Sequence, residues 1–204
     1  MSDIVAETER LVLRHERPGD LAVWLEHMNT PQVMEKNGGV QPPEKVAENF
    51  AKARAGDDQW PFLFVALKPS GTLIGKCGLA AIDSPQAPDV LAGRTQIGWS
   101  LRADQWGHGY ATEAASAILT MAFERYNLDK VYSQTSERNR GSWRLMQRLG
   151  MTRLAHLDYD DAEFPPEDNP TMVWGIEREA WLASRAGSAA RSRAENQASA
   201  AVSA

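Results

Sequence analysis

The order of predicted elements places the chain in the α+β class, with a mixed, mostly antiparallel sheet and helices on both faces. Residues 62–67 and 72–79 are rich in strand-forming residues and lie close enough in sequence to form an antiparallel hairpin. Further on, a strand at 95–101, a long helix at 109–126 and a strand at 130–135 predict one parallel pair with a right-handed crossover. A sheet with both kinds of pairing needs helices to cover its faces.

The N-terminal third contains one strand and two helices. Residues 10–14 alternate polar and apolar side chains, which is typical of a strand. Pro18 begins an amphipathic helix with apolar residues at helical spacing. A loop containing Asn37-Gly38-Gly39 follows, and a second helix begins at Pro42 and ends at Gly56.

Turn residues divide the rest of the chain. Pro69-Ser70-Gly71 joins the two strands of the hairpin, and residues 84–93, with two prolines, form a loop. Asn127 can end the long helix in a left-handed conformation. The last predicted elements are one helix and two strands separated by an acidic loop: 141–149, 152–159 and 172–177.

Composition divides the 204 residues into a folded domain, 1–182, and a tail, 183–204. The tail has nine alanines, five serines and three arginines, and its only large apolar residue is Val202. Such a segment buries too little surface to offset the entropy of ordering, so we expect it to be disordered. The whole chain carries 22 basic and 27 acidic residues, a net charge of −5.

Several classes of protein are disfavoured. The single cysteine, Cys77, excludes an internal disulfide framework and a cysteine-based zinc cluster, and no metal site is expected. The net negative charge argues against a nucleic-acid binder. No apolar run reaches the roughly 18 residues of a membrane helix, and residues 1–4 do not begin a signal peptide. We therefore expect a cytoplasmic protein with a reduced cysteine.

A glycine-containing segment, Trp106-Gly107-His108-Gly109-Tyr110-Ala111-Thr112-Glu113-Ala114, lies between the strand that ends at Leu101 and the long helix. Glycines there let the backbone approach a ligand, and the free amides and dipole of a helix N-terminus attract phosphate. A turn that merely caps the helix has the same pattern, so the segment alone leaves both interpretations open.

A second segment, Asn139-Arg140-Gly141-Ser142, opens the next helix. Asn139 is a typical N-cap residue, and Ser142 lies one turn inside the helix. Alone, this pattern predicts only a cap and a surface serine.

Together, these segments resemble the GNAT N-acetyltransferase superfamily. The opening Thr8-Glu9-Arg10-Leu11-Val12-Leu13-Arg14 narrows the resemblance to the branch that acetylates the N-termini of ribosomal proteins. Ile74-Gly75 resembles the central strand of the family, and Ile97-Gly98-Trp99 resembles the strand that precedes its phosphate loop. The resemblance covers residues 7–182 and implies a sheet that splays at its parallel pair.

The resemblance implies that the chain binds acetyl-CoA. The amides that would hold the pyrophosphate belong to Trp106, Gly107, His108, Gly109, Tyr110, Ala111 and Thr112. The backbone of Trp99, Ser100 and Leu101 would run beside the pantetheine. Asn139 would bond the pantetheine arm, and Ser142 would lie near the thioester sulfur.

The implied chemistry is direct attack of an amine on the thioester, without a covalent enzyme intermediate. Two positions depart from the family: Met146 stands where many relatives have a tyrosine acid, and Gln96 where some have a glutamate base. The resemblance to this branch implies a serine as proton donor to the thiolate, so Ser142 is the candidate acid. Glu137, two residues before Asn139 at the end of a parallel strand, is the candidate base, with Glu35 as the alternative; each is otherwise a solvated surface carboxylate.

The acceptor is a protein N-terminus or a small amine, and many relatives form homodimers. The rival function is a catalytically silent acyl-CoA-binding module, which Met146 and Gln96 motivate. An acidic cluster within residues 158–168 borders the acceptor pocket in relatives and can attract a cationic amine, or it is a solvated loop. Arg140, Arg144 and Arg148, spaced four apart, can meet the ribose phosphate of CoA or form a solvated helix face.

Overall fold

The computed structural model describes residues 3–55 and 62–186. Eight strands in this part of the chain form one sheet in the order β1-β2-β3-β4-β5-β6-β8-β7. The strands are β1 (Ile4–Glu7), β2 (Leu11–Arg14), β3 (Phe62–Leu67), β4 (Leu73–Ala81), β5 (Thr95–Leu101), β6 (Lys130–Thr135), β7 (Thr152–Arg153) and β8 (Met172–Glu177). All neighbours are antiparallel except the parallel pair β5–β6, which confirms the predicted class.

Helices cover both faces of the sheet. They are α1 (Asp20–His27), α2 (Pro31–Met34), α3 (Pro43–Ala55), α4 (Tyr110–Thr120), α5 (Arg140–Arg148) and α6 (178–186). The apolar stripe of α4 packs on one face against alternate residues of the central strands, such as Leu63 and Val65. On the other face, Phe50 of α3 packs against Phe64. The alternation along β3 thus gives each face of the sheet its own helix layer.

Four local predictions differ from the structure. The sequence analysis missed β1, because this four-residue edge strand is only partly buried. It also missed the one-turn helix α2 in the predicted loop, where the side chain of Thr30 accepts a bond from the amide of Val33. The predicted strand 152–159 ends at Arg153, and a 3₁₀ turn at Ala155–Leu157 follows, closed by the ion pair of Arg153 with Asp158.

The fourth difference lies at the C-terminus. Residues 178–186 form α6, in which Trp181 is buried and lies against Phe123 with ring centroids 6.4 Å apart. The helix therefore continues four residues past the predicted domain boundary at 182. The rest of the predicted disordered tail, 187–204, lies outside the described residues.

The parallel pair β5–β6 opens into a cleft. One ladder pair, Gln96 with Tyr132, joins these strands in the described structure, and the hydroxyl of Ser133 donates to the carbonyl of Ile97 at 2.9 Å. Further along, β6 stays paired with β8 as far as Thr135 while β5 diverges from it. The sheet therefore splays as expected. Within the described residues, no helix is long and apolar enough to cross a membrane.

Candidate active site

The segment between β5 and α4 is shaped by two glycines in left-handed conformations. Gly107 has φ +81° and Gly109 has φ +80°, values that other residues adopt only with strain. The indole nitrogen of Trp106 donates to the carbonyl of Leu101 at 2.9 Å. This bond closes the turn, so the chain leaves β5 and enters α4 with the backbone of residues 107–109 exposed.

Six consecutive amides at this turn are left without a partner, whereas the amide of Trp106, also predicted to hold the pyrophosphate, already donates to the carbonyl of Ala103 at 3.3 Å. Among the described residues, none of the amides of 107–112 donates to a protein acceptor, and the first bond of α4 runs from Glu113 to the carbonyl of Gly109 at 3.1 Å. An ideal Cβ at Gly107 would meet nothing within 4 Å. Free amides, the helix dipole and open space together fit a bound phosphate group.

Arg10, just before β2, holds this loop from the side. Its guanidinium donates to the carbonyl of His108 at 3.0 Å and lies 4.6 Å from the ring centroid of Tyr110. His108 in turn stacks on Tyr110, with ring centroids 5.6 Å apart and an interplanar angle of 15°. The sequence places Arg10 in a motif but does not predict these contacts.

Glu113 explains why the Thr8–Arg14 motif lies beside the loop. Its carboxylate accepts bonds from the Thr8 hydroxyl at 2.5 Å, the Arg10 amide at 2.8 Å and the Arg10 guanidinium at 2.7 Å. Burial alone would raise the pKa of Glu113, but these bonds outweigh it and hold the pKa below its usual range. Glu113 therefore anchors the start of β2 to the first turn of α4.

A cleft of about 680 Å³ runs along the splayed edge of β5. Trp99 and Ser100 line it from β5, and Asn139 and Ser142 line it from the start of α5. Leu101 is buried and does not line it, although its carbonyl receives the Trp106 indole. Gly75 of β4 allows close packing behind this edge, since an added Cβ would lie 2.1 Å from the Ser100 carbonyl oxygen.

Asn139 caps α5, as the sequence alone suggested. Its side-chain oxygen accepts a bond from the Ser142 amide at 3.3 Å. The same residue lines the cleft, so capping and a contact to a bound molecule are compatible. Ser142 is half-buried, and its hydroxyl is not used by the cap.

The two positions that depart from the family also line the cleft. Met146 is 1% exposed and has no proton to transfer. The side-chain amide of Gln96 donates to the carbonyl of Ala81 at 3.5 Å. Cys77 is fully buried in the core, and this burial raises the pKa of its thiol, so it offers no thiolate.

The two candidate bases lie elsewhere. Glu137 and Glu35 line a second cavity of about 650 Å³, which Ser142 does not reach. The Lys36 ammonium donates to the Glu35 carboxylate at 2.8 Å, and this bond lowers the pKa of Glu35. The structure therefore does not bring Glu137 or Glu35 together with Ser142.

Carboxylates that the sequence analysis did not single out line the cleft with Ser142. Asp161 and Asp168 are 4% and 6% exposed. The Asp168 carboxylate oxygen Oδ1 lies 3.6 Å from the Arg138 guanidinium and 4.0 Å from the Lys36 ammonium. Asp161, by contrast, has no cationic partner in the described part of the chain. Both belong to the predicted acidic cluster, but its pattern could not show which members face inward.

Tyr159 lies beside Asp161 on the same wall. The tyrosine is half-buried and lines the cleft, and burial raises the pKa of its hydroxyl. It therefore stays neutral and can donate a hydrogen bond at ordinary pH. A wall with a buried carboxylate and a phenol suits the ammonium group of an incoming amine.

Comparison with known proteins agrees with this geometry. Residues 10–152 match the family model described as "Acetyltransferase (GNAT) domain". The Bacillus licheniformis protein named "Uncharacterized N-acetyltransferase p20" is 27% identical over 162 residues, 76% of this chain and 87% of that protein.

Two solved structures have the same fold. An acetyltransferase from Agrobacterium tumefaciens has 28% identity and a TM-score of 0.67, and the match covers 87% of this chain and 96% of that one. The spermidine N-acetyltransferase of Vibrio cholerae, solved with CoA and spermine, has a TM-score of 0.69 at 18% identity. That match covers 86% of this chain and 99% of the Vibrio chain, and at this identity it shows the fold alone.

Proposed function

The chain belongs to the GNAT acetyltransferase family, and from that premise we propose that it acetylates a primary amine that enters the cleft beside Asp161. It is an acetyltransferase, and its acyl donor is acetyl-CoA. One observation supports this function best: six free amides at the start of α4 adjoin a splayed strand edge that runs toward Ser142.

Acetyl-CoA supplies the acetyl group as a thioester when bound. The amides of 107–112 hold its pyrophosphate. The conformation of the loop already directs these amides toward the phosphate position, so the backbone does not need to rearrange on binding. The edge of β5 at Trp99 and Ser100 contacts the pantetheine, while Asn139 bonds its arm. Leu101, predicted to share this contact, is buried and does not line the cleft. Each of these roles uses groups that the fold has already positioned.

Ser142 acts as the proton donor to the leaving thiolate. Its hydroxyl lines the cleft one turn inside α5, and the neighbouring Met146 cannot substitute for it. The proposed transfer is direct, from acetyl-CoA to the amine. Cys77, the only cysteine in the sequence, is buried in the core and offers no thiolate that could form an acyl-enzyme.

Asp161 holds the ammonium group of the acceptor and accepts the proton that this group loses before the neutral amine attacks the thioester carbonyl. A buried carboxylate without a cationic partner in the described residues is well suited to this role. Glu137 remains the other candidate proton acceptor, although it is exposed and lines the second cavity. The acceptor is a protein N-terminus or a small amine; the ribosomal branch, a homodimer and a cytoplasmic location remain predictions.

A panel of amines and short peptides tests the function. We expect CoA thiol release that requires both acetyl-CoA and an acceptor, with an acceptor mass increase of one acetyl group. Tight binding of acetyl-CoA without turnover of any amine would instead indicate a silent acyl-CoA-binding module.

A further inference from the structure

The second cavity has the opposite charge to the cleft. Four cationic side chains and two carboxylates line it: Lys36, Arg138, Arg140, Arg144, Glu35 and Glu137. The cleft is lined by four carboxylates, Asp83, Asp161, Glu163 and Asp168, and two lysines, Lys36 and Lys76. One cavity therefore carries a formal charge of +2 and the other of −2.

Two of the cations in the second cavity are available to a ligand. Lys36 pairs with Glu35, and Arg138 lies within 4 Å of Asp168. By contrast, neither Arg140 nor Arg144 pairs with a carboxylate among the described residues, and both are exposed. A guanidinium with free donors binds a carboxylate in a bidentate manner.

Trp143 and the turn before α5 give this cavity a defined wall. The indole nitrogen of Trp143 donates to the carbonyl of Glu137 at 3.0 Å. The guanidinium of Arg144 lies 5.5 Å from the Trp143 ring centroid. These contacts hold Arg144 beside the turn, so less side-chain entropy is lost when it binds a ligand.

The two cavities lie on either side of one short segment. Ser136 and Asn139 line the cleft, while Glu137, Arg138 and Arg140 line the second cavity, and Lys36 lines both. We take the distance between groups bound on the two sides of this segment as about 10 Å, the diameter of a helix with its side chains. An extended peptide covers this distance in about three residues, at roughly 3.3–3.6 Å per residue.

We propose that the second cavity is an acceptor subsite that binds an acidic side chain at the third or fourth residue of a peptide whose N-terminal amine lies in the cleft. This inference rests on the proposed function. The amine meets Asp161, and the carboxylate meets Arg140 and Arg144. Polyamines are poor acceptors by the same reasoning, because their second cation would face the arginines.

Hexapeptides that differ only in residues three and four test the proposal. With glutamate at these positions, kcat/KM should exceed that of the glutamine peptide by about three-fold to ten-fold at low ionic strength, and that of the lysine peptide by more. The preference should largely disappear at roughly 0.5 M salt, because the subsite is exposed.

Charge reversal identifies the residues responsible. Arg144→Glu and Arg140→Glu should each remove the preference for glutamate and favour the lysine peptide. Arg125→Glu makes the same change in charge on an exposed residue beyond the end of α4 and should leave the order of the peptides unchanged.

Three outcomes would overturn the proposal. The first is equal acetylation of the three peptides, and the second is a preference for spermidine or a free amino acid over all of them. The third is an Arg144→Glu variant with a raised KM for acetyl-CoA and unchanged peptide selectivity, which would assign the arginine to the cofactor phosphate. If no amine or peptide releases thiol, the proposed function itself fails.

Discussion

The start of α4 and the wall around Asp161 bind their ligands in different ways. At α4, six consecutive backbone amides form the binding surface, and two left-handed glycines fix their direction. The wall around Asp161, called the acceptor wall below, is instead built from side chains. Residues from distant parts of the chain, such as Lys76, Ser142 and Asp161, meet there in one cleft. A backbone site tolerates many side-chain changes, whereas a side-chain site changes its specificity with each substitution.

The charges follow the same division. The α4 site depends on the partial charges of the helix N-terminus, which no side-chain substitution removes. The acceptor side depends on full charges, with carboxylates in the cleft and arginines in the second cavity. We therefore expect only substitutions that block or strain the α4 backbone to abolish cofactor binding, whereas single side-chain changes around Asp161 should alter which acceptor is used.

The largest effect is expected from Gly109→Glu. A carboxylate would lie where the pyrophosphate binds, so affinity for acetyl-CoA in a calorimetric titration should fall by roughly 100-fold or more. Gly109→Ala strains the same backbone without the charge and should weaken binding less. Gly93→Glu is the control, since Gly93 also has a positive φ with open space around it. Unchanged affinity in Gly109→Glu would refute the amide site.

Ser142→Ala comes next. Removing the proposed proton donor should lower kcat by about 100-fold, while the KM for acetyl-CoA changes little. Asn139→Ala is the comparison, because it removes the cap of α5 and a cofactor contact and should act on stability and KM instead. A Ser142→Ala variant with normal kcat and raised KM would make this serine a binding residue only.

Asp161→Asn should have an intermediate effect. Loss of the charge that holds the ammonium should raise the KM of the amine by about ten-fold. Glu137→Gln, in the second cavity, should change it by less than about two-fold. If instead Glu137→Gln is the more damaging variant, the proton acceptor lies in the second cavity and our assignment is wrong.

The smallest effect is expected at the anchor between β2 and α4. Glu113→Gln should lower the free energy of unfolding by about 1–2 kcal/mol at neutral pH, because three hydrogen bonds lose their charged acceptor. The folded state lowers the pKa of Glu113, so its contribution is present above the ordinary pKa of about 4.5 and is lost as pH falls below it.

Denaturant titrations between pH 7 and pH 3 measure this effect. The difference between wild type and Glu113→Gln should shrink on acidification. Glu124→Gln, an exposed residue in the helical turn after α4, should match wild type throughout. A difference that grows toward low pH would contradict the lowered pKa.

The difference between a backbone site at α4 and a side-chain site around Asp161 also explains which parts of the site could be predicted from the sequence. The α4 site is contiguous in sequence, so the loop from Trp106 to Thr112 and the Asn139 cap were recognisable as motifs. The acceptor wall is not contiguous, since the orientation of Asp161 depends on a loop whose local bonds, such as that from Asn169, no periodicity encodes. Glu137 is only two residues from Asn139 in sequence, but neighbouring residues of that turn line opposite cavities.

Amide proton and nitrogen NMR shifts during an acetyl-CoA titration test the central claim most directly. We expect the amides of 107–112 to shift most, with protons moving downfield as they gain an acceptor, while the amides of residues 89–93, which do not line the cleft, stay unchanged. If acetyl-CoA binds and the 107–112 amides keep their shifts while another surface responds, the backbone site at α4 is contradicted.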